Sequence, residues 1–101
     1  MIQLEEALAR PEFESIDLDI AVADAHDHIT DAVHGLTTSD SEEGTKYRTT
    51  NGMLVAIVGT SSANRDGERA TIAYRTAPPS EPATRKAAKI ADALKSYAVD
   101  R

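Results

Sequence analysis

The 101 residues of this chain contain no cysteine, no tryptophan, a single phenylalanine, and only four lysines against seventeen acidic residues. Without cysteine there is no disulfide framework and no thiolate-bound zinc or iron–sulfur site. With one Phe (Phe13) and three Tyr (Tyr47, Tyr74, Tyr97) the core must be built from Ala, Val, Ile and Leu, and so thin a core predicts help from oligomerisation or from salt. The shortage of basic residues leaves a net charge of −6 and a pI near 4.9. Both oppose general binding to nucleic acid or to an anionic membrane, which depend on basic patches and released counterions. Long apolar runs are missing too. The opening residues MIQLEEALARPEFE place acids before any such run, unlike a secretory signal or a membrane anchor, so a soluble cytoplasmic protein is the expectation.

A chain of this length makes one domain, residues 1–101, able to bury about 60 to 70 % of its unfolded surface. Residues 2–10 read as a short helix stopped by Pro11. Residues 13–20 read two ways: Ile16, Leu18 and Ile20 alternate with Asp17 and Asp19 as in a half-buried strand, while a helix starting near Asp17 would claim the same residues. Leu18, Val22, Ala25, Ile29, Ala32, Val33 and Leu36 then follow one line at helical spacing and predict a helix over 19–35. The polar run from Thr37 to Gly44 reads as a linker. Residues 46–76 turn β-branched and read as a meander of three strands with the apolar strand Met53–Val58 in the middle, joined by turns at Asn51-Gly52 (type I′) and Asp66-Gly67. Ser80 as N-cap and Pro82 in the first turn open a last helix over 81–98. The expected fold is α+β: a three-stranded antiparallel sheet, four-stranded if 13–20 joins it, with helices packed on one face.

Candidate chemistry is sparse. In DAHDHITDAVH, residues Asp27, Asp31 and His34 fall at i, i+4 and i+7, so a continuous helix would stack their side chains as ligands for a divalent metal, flanked by His26 and His28. No HExxH pattern and no fourth ligand accompany them, and a solvated acidic helix face accounts for the same residues more simply. Ser61 and Ser62 in GTSSANRDG have no nucleophile-elbow context and read as a hairpin loop, and the phosphate-cradle pattern is incomplete. Tyr47 and Tyr74 beside Arg48, Arg65, Arg69 and Arg75 outline a sheet of the kind that stacks single-stranded bases, against which the net charge argues. The central strand carries more weight. Strict alternation points Met53, Val55 and Ile57 to one side and Leu54, Ala56 and Val58 to the other, both sides apolar. Helices cover one side, leaving the other, taken as that of Met53, Val55 and Ile57, as a partner-binding face for a second copy of the chain or a ligand, unless the N-terminal segment 1–16 folds back over it.

In composition, with its DxD-rich and Lys-poor helices, the chain resembles small acidic proteins of extremely halophilic archaea. That resemblance implies life in concentrated salt and brings no motif or functional residue with it. The function that follows is a non-catalytic binding or self-associating module, a homodimer by expectation. A metal-dependent enzyme or regulator on the His/Asp helix face stands as the alternative, and nucleic-acid recognition by the sheet comes third. Repulsion among the seventeen carboxylates is relieved as salt screens it, so the unfolding midpoint should rise from low to molar ionic strength; a midpoint that does not move in a salt series would remove the halophile reading.

Overall fold

Residues 18–20 do not enter the first helix, because their backbone is taken by distant parts of the chain. In the computed structural model, which describes residues 9–41, 44–59, 69–77 and 82–98, the Leu18 N–H donates to Ala70 O (2.8 Å) and the Asp19 N–H to Tyr97 O (2.7 Å). Ile20 O in turn accepts from Ala70 N–H (2.8 Å). The helix α1 therefore starts later than the spacing predicts and spans Val22–Ala32, with Asp24 in its positive first turn. It also stops earlier: Val33 is extended, its N–H closing on Ile29 O at 3.0 Å, and Gly35 turns the chain at φ +81. Leu18, Val33 and Leu36 still reach the core, from outside the helix.

The sheet has five antiparallel strands in the order β1-β5-β4-β3-β2, with β1 Phe13–Asp17, β2 Thr37–Ser41, β3 Gly44–Arg48, β4 Leu54–Gly59 and β5 Thr71–Arg75. Two strands beyond the expected three account for the difference. Residues 13–17 take the strand option and pair with β5, Phe13 opposite Arg75. The stretch read as a polar linker is strand β2, paired with β3 from Thr37–Arg48 to Ser41–Gly44. Its sequence TTSDS has no apolar alternation, so the usual signal is silent; backbone pairing at an exposed edge needs none.

The turn after β3 also differs. Gly52 N–H donates to Thr49 O (2.9 Å) and Thr49 N–H to Met53 O (2.9 Å). Gly52 alone takes positive φ (+87) while Asn51 does not, which is a type I turn followed by a left-handed glycine rather than a type I′ pair. Gly44 holds a second special position: at φ +134, a Cβ there would fall on the Val58 carbonyl oxygen. Residues 2–8 of the helix expected over 2–10, the Asp66-Gly67 turn and the Ser80 cap lie outside the described residues, and Ala9 and Arg10 are not helical.

Helix α2, Pro82–Leu94, runs into a 3-10 turn at Lys95–Tyr97. Its buried stripe Ala83, Ala87, Ile90 and Leu94 packs on β4, β5 and α1. Both helices lie on one face of the sheet. Among the described residues no helix is long and apolar enough to cross a membrane.

A β-bulge corrects the expected alternation in β4. Tyr47 pairs with Ala56 but Arg48 with Leu54, so Val55 is the extra residue and turns to the helix side with Ala56 and Val58. Leu54 and Ile57 take the opposite face, where they cluster with Phe13 and Ala73. That face is not open to water: Ile57 is 1 % and Ala73 0 % exposed in the single chain. Arg75 closes it at one end, its guanidinium 5.0 Å above the Phe13 ring and its Nε–H donating to Leu54 O at 2.7 Å. Because Val55 and Ile57 are buried on opposite faces, Val55→Asp and Ile57→Asp should each cost at least about 3 kcal/mol in chemical denaturation, since an unpaired carboxylate is forced into apolar surroundings either way. One variant unfolding while the other stayed stable would show that one face is open after all.

Candidate functional site

The residues singled out for metal binding do not share a helix face. Asp27 and Asp31 are exposed on α1, but the helix ends at Ala32 and His34 sits beyond the extended Val33, so the i+7 relation is lost. The exposed His34 engages the fold through its backbone, its carbonyl accepting a hydrogen bond from Lys86 Nζ at 3.1 Å. Among the described residues no three His, Cys, Asp or Glu come together as a metal-holding group.

The other two histidines of α1 face tyrosines. His26 Nδ1 lies 2.7 Å from the Tyr47 hydroxyl, with the rings stacked at 5.7 Å and 28°. His28 stacks on Tyr97 at 4.5 Å and 26°. Tyr47 is fully buried on the helix side of β3. Burial first, and then the nearby carboxylates of Asp40 and Asp27, push its phenol far above the ordinary value of 10.0. A phenol held protonated across the neutral range is a hydrogen-bond partner and not a base, so the His26–Tyr47 contact joins α1 to the sheet. Thr30 holds the same helix turn, its hydroxyl 3.1 Å from the carbonyls of both His26 and Asp27. Sequence spacing did not reveal these pairs because they link residues on different elements, 21 positions apart for His26 and Tyr47.

The aromatic residues of the sheet are likewise occupied. Tyr47 lies beneath α1, and the half-buried Tyr74 donates its hydroxyl to Glu14 Oε2 at 3.1 Å. Arg75 is committed to Phe13 and Leu54, and Arg69 pairs with Asp19 at 3.2 Å. An open stacking platform for bases is not formed by Tyr47.

Of the three residues expected at a partner surface, Val55 and Ile57 are interior and on opposite faces, while Met53, just before β4, is 38 % exposed. Met53 lines a groove of about 230 Å³ with Thr49, Thr50 and Asn51 of the hairpin turn and Pro82, Ala83 and Lys86 of α2. Two elements shape it: the hairpin turn, where Met53 is tied to Thr49 by backbone and side-chain hydrogen bonds, and the start of α2 on the other side. The exposed Pro82, above the buried Ala83, gives the α2 wall its apolar surface, and Lys86 and the exposed Thr50 give the groove a polar rim. Ser61 and Ser62 lie outside the described residues.

Comparisons with protein-family models, with curated proteins and with solved structures find no match to this chain. Residue roles therefore rest on the geometry alone.

The raised phenol of Tyr47 sets a pH dependence. Between the unfolded value near 10.0 and its higher folded value the native state holds a proton that the unfolded state has released. The Tyr47 contribution is thus complete below pH 10 and is lost as pH rises above it. Tyr47→Phe should cost about 1 kcal/mol at neutral pH, from the lost His26 hydrogen bond, and should flatten the alkaline fall in stability. Parallel alkaline profiles for wild type and variant in urea titrations would refute this assignment.

Proposed function

We propose that the chain is a non-catalytic protein-binding module, with a second copy of itself as the first partner to test. The observation that supports this reading is Met53, a large hydrophobic side chain exposed at the lip of the groove while the apolar faces of the sheet are buried within the chain. A groove with one apolar wall and a rim carrying a hydroxyl, an amide and an ammonium suits an apolar side chain presented by a polypeptide, whose backbone the rim would hydrogen-bond. Among the described residues the titratable group with the most displaced proton affinity, Tyr47, already has its partner in His26, which favours packing and docking over catalysis. Burying one methionine is worth about 1.5 to 3 kcal/mol, which makes for a weak and reversible contact rather than an obligate one.

The test is sedimentation equilibrium from micromolar to millimolar protein in molar salt, together with the Met53 methyl signal by NMR. Self-association is expected, with a methyl shift that follows concentration, and Met53→Glu should weaken it by about tenfold or more. A chain that remains monomeric, with a methyl signal indifferent to concentration, would defeat self-association through this surface.

A further inference from the structure

Carboxylates in this sheet are repeatedly met by hydroxyls directly across the strand pair. Thr71 Oγ1 donates to Asp17 Oδ1 (3.1 Å) between register partners of β1 and β5. Tyr74 donates to Glu14 on the same pair of strands (3.1 Å), again between register partners. Thr45 Oγ1 donates to Asp40 Oδ1 (2.8 Å) between register partners of β2 and β3. This cross-strand pairing is the chain's substitute for its missing cations.

Among the described residues β2 is the outermost strand on its side of the sheet. Residues 37–40 are exposed, and the strand lacks three usual guards of an edge: it has no lysine, no proline and no register shift against β3. Its short Thr, Ser and Asp side chains let another strand approach to the usual spacing of about 4.8 Å. Thr38 and Asp40 are two apart and so share a face. We propose that two copies of the chain pair through β2, antiparallel about a two-fold axis at Ser39, which sets Thr38 of each copy opposite Asp40 of the other. Each pair repeats the Thr45–Asp40 contact already present inside the chain, using Asp40 Oδ2 because Oδ1 holds Thr45.

The register follows from charge. An axis at Asp40 would put two carboxylates face to face, and an axis at Thr38 would put Asp40 opposite the half-buried Leu36. The other outer strand, β1, is not self-complementary: an axis at Ser15 would set Glu14 against Ile16 and Asp17 against Phe13. Each copy carries a net charge of −6, so the association must strengthen as salt screens the repulsion between copies.

This inference rests on the self-association reading above, and the experiment separates the two. Thr38 is exposed in the single chain, so charged side chains there should leave the thermal midpoint of a dilute sample unchanged. In sedimentation equilibrium at molar salt, Thr38→Asp should weaken the dimer by about tenfold, because by symmetry it creates the carboxylate contact twice, and Thr38→Lys should keep or tighten it by facing the partner's Asp40 with opposite charge. A dimer unaffected by Thr38→Asp but broken by Met53→Glu would overturn the β2 pairing and keep self-association through the groove. Equal loss with Asp and Lys at position 38 would overturn the hydroxyl–carboxylate register. A wild-type chain that is monomeric at every concentration would overturn both proposals.

Discussion

The burial of Tyr47 is the constraint around which the rest of the molecule is arranged. It is the bulkiest of the fully buried side chains in a chain with four aromatic residues of these kinds, and its hydroxyl cannot go into that interior without a partner. His26 supplies the partner, which fixes where α1 crosses the sheet. The bulge beside Tyr47 then turns Val55 and Ala56 together toward the same helices. With Val55 turned inward, the opposite face of β4 keeps only Leu54 and Ile57, few enough to be closed with Phe13, Ala73 and the stem of Arg75.

A protein short of cations must find other donors for its carboxylates. Here threonine and tyrosine hydroxyls serve, on three cross-strand pairs. A hydroxyl contributes a hydrogen bond without adding charge, so the sheet satisfies its acids while the surface keeps the negative field that holds water and opposes aggregation. Ion pairs such as Arg69–Asp19 remain on the exposed surface, where each is worth little.

How much of this was legible in the sequence depends on whether a residue is governed by its neighbours in the chain or by distant ones. The strand β4, the meander around it and the stripe Ala83, Ala87, Ile90 and Leu94 could be read because their apolar spacing is local. Strand β2 could not, since TTSDS has no apolar pattern. The ends of α1 were hidden because Ala70 and Tyr97 claim the backbone of 18–20 and because Val33 turns extended. That early stop separates His34 from Asp27 and Asp31. The bulge, invisible to a period of two, put Val55 and Ile57 on opposite faces, and of that trio Met53 alone is exposed.

The knot of backbone hydrogen bonds at Leu18, Asp19 and Ile20 has a kinetic consequence. It joins the segment after β1 to Ala70 and to Tyr97, and β1 itself pairs with residues about 60 positions away, as Glu14 does with Tyr74. Each of these contacts closes a loop of fifty residues or more, so each carries a larger loop-closure cost than the hairpins do. Distant pairings of this kind slow folding relative to a helical bundle of the same size. Strand β2, by contrast, meets β3 within a few residues, Ser41 opposite Gly44.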